Sequence, residues 1–217
     1  MSNSIVFDMD GILFDTERLY KDAWLTVGTG MGLSDSQEVS EHCVGLSYAD
    51  TKKYILERYG QDFPFDRFIN GVSGCVQAQI DRDGVPVKDG VYDILAYLRK
   101  SKYKIGLATS SSMHSAKGHL IQSGLSDYFY IIVTSDMVAK GKPAPDIYLA
   151  ACSMLGAAPR DTYAVEDSPN GIKSAHNAGL RTIMVPDLFE PTAELDDMLY
   201  AKFDTLLGLK SYLESNN

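Results

Sequence analysis

Ile5-Val6-Phe7-Asp8-Met9-Asp10-Gly11 is the stretch on which the reading of this chain turns. Ile5–Asp8 is a short apolar run without polar alternation, as expected of a strand covered on both faces of a parallel sheet. It stops abruptly at an Asp-x-Asp-Gly, residue types that suit a tight turn. Four further runs of the same kind follow: Lys104–Thr109, Tyr130–Thr134, Thr162–Glu166 and Arg181–Val185. Helical patterns separate these last four. Val91, Ile94, Leu95 and Leu98 carry the i, i+3, i+4, i+7 spacing of one helix face within Asp89–Lys100. Met113–Ser123, Pro145–Leu155 and Pro169–Ala178 read as helices, with Gly124, Gly156 and Gly179 at the C-terminal cap positions. The β-α alternation predicts an α/β fold with a doubly wound, Rossmann-like parallel sheet.

The connection between the first two strands breaks the rhythm. It runs from about Gly11 to Tyr103, far longer than an ordinary crossover. Within it Thr16–Val27, Tyr48–Tyr59 and Phe65–Arg82 look helical, the last with an apolar stripe of Phe65, Phe68, Ile69, Val72, Val76 and Ile80. Gly71 and Gly74 weaken that helix locally. The sequence therefore predicts a helical cap, residues 16–85, inserted into a catalytic core made of residues 1–15 and 86–217. Hinges are expected near Phe14–Thr16 and Gly84–Lys88.

Ligands of open parallel sheets bind beyond the carboxyl ends of the strands. Those ends present Asp8 with Asp10, then Thr109 followed by Ser110 and Ser111, then Lys142, then Glu166 with Asp167. Carboxylates suit a hard divalent cation, with Mg2+ the natural choice for an all-oxygen site. A lysine and a hydroxyl suit the oxygens of a phosphoryl group. Asp8 is then placed to attack phosphorus in line, and Asp10 to move a proton to and from the leaving oxygen. Each element alone has a plainer reading. Asp-x-Asp-Gly is a common turn, Thr109–Ser112 an N-cap, Lys142-Pro143-Ala144-Pro145 a rigid approach to a helix, and Glu166–Pro169 a cap with proline at the first helical position. Four such loops on one sheet edge make the joint coincidence small.

Bulk properties narrow the partners. The 217 residues carry 20 Lys and Arg against 29 Asp and Glu, a net charge of −9. No basic cluster offers a footprint for a nucleic-acid backbone or an anionic membrane surface. An acidic protein that handles phosphate must neutralise it locally, with a metal or a lysine. Cys43, Cys75 and Cys152 are odd in number and form no Cys-x-x-Cys pair, which argues for free thiols in a reducing compartment. Met-Ser-Asn-Ser leads straight into a strand pattern without a leader-like segment, and no run reaches membrane-span length. The expectation is a cytoplasmic monomer acting on a small phosphorylated metabolite, without nucleic acid or membrane.

The ordered set Asp8-Met9-Asp10-Gly11-Ile12-Leu13-Phe14-Asp15-Thr16, Thr109, Lys142-Pro143 and Glu166-Asp167 resembles the haloacid dehalogenase superfamily, in particular the branch of β-phosphoglucomutase and small sugar phosphatases. The resemblance spans essentially the whole chain. It implies that Asp8 forms an aspartyl-phosphate, that Asp10 is the general acid/base, and that Thr109 and Lys142 bind the transferring group. It implies Mg2+ ligation by Asp8, the main-chain carbonyl of Asp10 and Asp167, with Glu166 in or just outside the ligand shell. The presence of Asp10 argues against a dehalogenase, because a leaving halide needs no proton.

Within that branch, mutases carry a histidine where this chain has Tyr20. They carry an arginine where Tyr48 follows Gly45-Leu46-Ser47, and a Lys-Asn pair where Ser112-Met113 stands. These differences favour a phosphatase for a sugar or polyol phosphate over the alternative, β-phosphoglucomutase. Glu17, Tyr20, Gly45, Leu46 and Tyr48 are the cap candidates for substrate selection, with Ser110 and Ser111 on the core. A phospho-acceptor signalling domain is the rival of another class, disfavoured by the large insertion and the second aspartate. Gly28-Thr29-Gly30-Met31-Gly32 imitates a phosphate-cradling loop but follows a helix, and no Lys-Ser/Thr closes it, so it reads as a flexible helix end. His42, His114, His119 and His176 form no ligand-spaced cluster.

Overall fold

A computed structural model describes residues 4–43 and 48–216. It divides into two compact units, Met1–Asp15 with Val85–Asn217, and Thr16–Gly84.

The first unit is built on a six-stranded parallel sheet of β1 (Ser4–Phe7), β2 (Lys104–Thr109), β3 (Ile131–Thr134), β4 (Thr162–Glu166), β5 (Arg181–Met184) and β6 (Ala201–Lys202). The strand order is β3-β2-β1-β4-β5-β6. All of β1 and β4 is buried, as their unbroken apolar runs require. The chain winds outward from β1 in one direction and then returns to add β4 on its other side. The switch in winding therefore lies between β1 and β4, where the crevice of such sheets opens. Register sets Phe7 beside Leu107 and Val165, so Asp8 leaves the sheet level with Ala108 and Glu166.

The helices of this unit are α5 (Val91–Lys100), α6 (Met113–Gln122), α7 (Asp146–Leu155), α8 (Pro169–Asn177), α9 (Ala193–Asp196) and α10 (Leu206–Ser215). Gly124, Gly156 and Gly179 have φ of 70°, 62° and 80°, the left-handed conformation that ends a helix without a Cβ penalty. Val6, Ala108, Val133 and Ala164 of the sheet pack against Ile147, Tyr148, Ala151 and Leu155 of α7. The sequence pattern missed α9, β6 and α10, and it set three strand boundaries one residue too wide, at Asp8, Tyr130 and Val185.

The second unit consists of α1 (Thr16–Gly30), α2 (Ser36–Cys43), α3 (Tyr48–Tyr59) and α4 (Phe65–Asp83). Phe65, Phe68, Val72, Val76 and Ile80 form the buried stripe of α4. Gly71 does not break it. A Cβ there would press on Val27 Cγ1 at 3.1 Å, so the glycine admits the close approach of α1. Helix α2 was not expected, and α1 extends through Gly30 into the Gly28–Gly32 segment read as a flexible end. Gly28 is pressed against Ser36, which makes it a packing glycine rather than a phosphate cradle. Among the described residues no helix is long and apolar enough to cross a membrane.

Candidate active site

The carboxyl end of the sheet gathers the acidic residues that the sequence placed at separate strand ends. Asp8, Glu166 and Asp167 are all buried and offer carboxylate oxygens within 4.8 Å of one another. Lys142 joins them from the loop after β3. Its Nζ donates to Asp8 Oδ1 at 2.7 Å, to Glu166 Oε1 at 2.5 Å and to the Ala108 carbonyl at 3.1 Å. The three protons of the ammonium thus meet three acceptors, the arrangement that makes a buried lysine tolerable.

Close packing holds this cluster from two sides. Gly11 has φ +80°, and a Cβ on it would overlap the Asp167 carboxyl; Gly171, in the first turn of α8, leaves the equivalent space for the Glu166 carboxyl. Ser168 caps α8 by accepting from Gly171 N at 3.1 Å, while its own hydroxyl donates to Glu166 Oε2 at 3.2 Å. Asp167 N and Ser168 N also donate to that oxygen, at 3.2 and 3.5 Å. On the other oxygen, Oε1, the Tyr148 hydroxyl donates at 2.7 Å beside Lys142.

Electrostatics follow from burial and crowding. Burial pushes the Asp8 carboxyl up to about 8; Lys142 pulls it back, while Glu166 and Asp10 add to the rise. Burial opposes the charge on Lys142, but the Asp8 and Glu166 carboxylates outweigh it and hold its pKa above the ordinary value. Three carboxyl groups share one ammonium, so a second cation would let Asp8 ionise, and the oxygen-only donor set suits a hard divalent cation. The residues present therefore fit Mg2+. Glu166 is heavily engaged by protein donors, which leaves Asp8 and Asp167 as the carboxylates better disposed toward a cation.

Asp10 stands apart from the cluster of three. Its Oδ2 accepts from Ser111 Oγ at 2.8 Å, and Ser111 N donates to Thr109 Oγ1 at 3.0 Å. Thr109 is fully buried at the end of β2, and Ser110 is exposed. In the other unit, Glu17 lies in the first turn of α1 and Tyr20 is exposed. Tyr48 is exposed as well, donates to Asp66 Oδ1 at 3.0 Å and meets Phe65 edge-on. Gly45 and Leu46 lie outside the described residues.

The profile of haloacid dehalogenase-like hydrolases matches residues 5–185, a span that contains every strand end of the site. The chain belongs to that family. Relatives divide between phosphatase and mutase. A phosphorylated carbohydrates phosphatase from Thermotoga maritima is 28% identical over 180 residues, 83% of each chain. The Bacillus subtilis β-phosphoglucomutase is 29% identical over 191 residues, 84% of this chain and 82% of its own. In fold, the family hydrolase from Deinococcus radiodurans solved with phosphate and sodium superposes with a TM-score of 0.80 at 23% identity, covering 98% of this chain and 95% of that one. As a member of the family, the chain is an enzyme of the phosphohydrolase and phosphotransferase class.

Sequence reasoning missed Tyr148 and Gly171. Tyr148 lies within the Pro145–Leu155 helix pattern, where nothing in the sequence marks its hydroxyl as a partner of Glu166. Gly171 carried a signal in principle, since a glycine in a helical first turn after Ser-Pro is unfavourable unless something occupies the space of its side chain.

Proposed function

We propose that this protein is a Mg2+-dependent phosphatase for a small phosphate monoester, a sugar or polyol phosphate, working through an aspartyl-phosphate on Asp8. The observation that carries the proposal is Asp8 itself, held at the sheet's switch point between Lys142 and the Glu166–Asp167 pair. An Asp8 oxygen attacks phosphorus, and the bond from phosphorus to the ester oxygen breaks. Asp10 delivers a proton to that oxygen and the alcohol leaves. Asp10, now a carboxylate, takes a proton from a water that attacks the same phosphorus, releasing phosphate and restoring Asp8. Lys142 and the Thr109 hydroxyl neutralise the phosphoryl oxygens. Asp8, Asp167 and the Asp10 carbonyl would hold Mg2+, which when bound screens the repulsion between the Asp8 carboxylate and the anionic ester.

Residues 16–85 serve in this reading as the cap that selects the alcohol, through Glu17, Tyr20, Gly45, Leu46 and Tyr48. Tyr48, Tyr20 and Ser112-Met113 supply no cation for a second phosphate, which favours hydrolysis over a mutase cycle. The three cysteines are free thiols, in keeping with a cytoplasmic enzyme.

The test is a phosphate-release screen over sugar, polyol and nucleotide monophosphates with Mg2+, with Asp8→Asn as control. Sustained release that the variant abolishes is the expected result. Interconversion of β-glucose 1- and 6-phosphates without phosphate release would make the enzyme a mutase. Full turnover by Asp8→Asn would remove the nucleophile from the scheme.

A further inference from the structure

The first turn of α7 carries a side chain that the scheme above does not use. Tyr148 is fully buried, and its hydroxyl shares Glu166 Oε1 with Lys142, at 2.7 and 2.5 Å. Lys142 Nζ lies 5.2 Å from the centroid of the tyrosine ring. We propose that Tyr148 is the positioning residue for Lys142, its hydroxyl fixing Glu166 Oε1 as the pivot on which the ammonium turns between Asp8 and the phosphoryl group.

The Lys142 ammonium carries three protons. All three are committed, to Asp8, Glu166 and the Ala108 carbonyl. To reach a phosphoryl oxygen the ammonium must release one of them. Asp8 is the acceptor that changes, because attack on phosphorus moves its negative charge onto the new phosphoryl group. Ala108 is main chain of β2 and does not move. Glu166 Oε1 then decides how far Nζ can swing, so whatever fixes that oxygen fixes the lysine.

Tyr148 is suited to the task. The three donors on Oε2 are longer, at 3.2, 3.5 and 3.2 Å, and all come from the turn that follows β4. Tyr148 approaches instead from a helix that packs in the core and whose entry is tied to α8. Ile147 and Tyr148 sit in the core, and the Ala144 carbonyl just before α7 accepts from Ser174 Oγ at 2.6 Å. A rigid element holds geometry better than a loop. With Lys142 on the same carboxylate oxygen, the phenol meets Glu166 Oε1 as a hydrogen-bond donor.

This proposal rests on the phosphatase reading, and the experiment separates the two. With p-nitrophenyl phosphate and Mg2+, Tyr148→Phe keeps the ring and should lower kcat about tenfold with KM nearly unchanged, the loss expected when a charge-assisted hydrogen bond is spent on the transition state. Tyr148→Leu, which removes the ring too, should lose more. In 15N-lysine-labelled protein, the Lys142 ammonium should give a slowly exchanging resonance that Tyr148→Phe shifts and speeds up. In the wild-type protein the Tyr148 hydroxyl proton should appear at low field and move when inorganic phosphate and Mg2+ are added. Unchanged kcat with an unchanged Lys142 resonance would overturn the proposal, as would a wild-type hydroxyl resonance indifferent to phosphate. Absence of phosphate release by the wild type from this ester and from every monoester of the screen above would defeat the phosphatase reading and leave the two resonances to decide Tyr148.

Discussion

Gly171→Ala adds one methyl group within a helix, and two physical effects predict opposite outcomes for it. Helix propensity alone favours alanine over glycine by about 1 kcal/mol. The surroundings oppose it. A Cβ at Gly171 would fall well under 3.0 Å from the Glu166 carboxyl carbon and both its oxygens. That carboxyl has no flexible end to yield, because five protein donors fix it from two sides. Either α8 moves outward or Glu166 is displaced and Lys142 loses a partner. Overpacking of this kind costs about 1–3 kcal/mol, and disruption of a buried ion pair about 3–5 kcal/mol. Taking about 3 kcal/mol for the clash and about 1 kcal/mol for the gain, the net loss is about 2 kcal/mol. For a chain of this size that lowers the melting temperature by about 4–8 °C. Urea titration would measure the stability, and p-nitrophenyl phosphate hydrolysis at a temperature where the variant is folded would measure kcat, which should fall as Lys142 is displaced. A variant as stable as the wild type with full kcat would refute the claim that Glu166 is locked against α8.

Three further outcomes are expected. Burial raises the Asp8 carboxyl to about 8 from an unfolded value of 3.8, so the metal-free fold retains a proton that the unfolded chain has released. Its stability should be greatest below about pH 4 as far as this group is concerned and fall as pH rises toward 8, a trend that Asp8→Asn removes in thermal melts. Mg2+ competes with that proton, so the rise in melting temperature that it produces should grow between pH 5 and 8, and an increment independent of pH would argue against a cation at Asp8. Lys88 Nζ bonds Asp187 Oδ1 at 2.5 Å, and Asp187 Oδ2 is buried without a hydrogen-bond partner. Lys88 is the more exposed of the two, so Lys88→Met should destabilise more than Asp187→Asn, with the double variant recovering part of the loss; equal losses in urea titrations would show the pair to be incidental.

Legibility was uneven for reasons that can be traced to residues. The five longer strands announce themselves because both faces are covered and their runs are unbroken. The two-residue β6 offers no pattern at all. Helix α2 was hidden by composition, since Ser36–Cys43 places only Val39 and Cys43 among polar neighbours. Helix α10 did carry signals: Thr205 caps it by accepting from Gly208 N, and Leu206, Leu209 and Leu213 form its buried stripe. At the site, the strand ends and their common sheet edge were readable, and their meeting around Asp8 followed from the family resemblance rather than from periodicity. Periodicity alone does not say that β4 is the strand that pairs with β1, the register that sets Glu166 and Asp167 against Asp8. Tyr148 was illegible because a tyrosine facing a core looks the same whether its hydroxyl meets a carboxylate or nothing.

The two aspartates of the opening turn end in different electrostatic settings although only one residue separates them. Asp8 is enclosed with Lys142, Glu166 and Asp167, where every change of charge must be matched by a proton or a cation. Asp10 is tied to Ser111 and through it to Thr109, on the β2 side of the turn. In the proposed scheme the first is the nucleophile and the second the proton carrier. The nucleophile must stay anionic beside an anionic ester, which calls for the dense positive field that Lys142 and a divalent cation would supply. The proton carrier must change state twice per turnover, and its carboxylate is held by the Ser111 hydroxyl rather than by Lys142. Gly11, with its positive φ, turns the chain directly after Asp10 and leaves the room in which the Asp167 carboxyl approaches.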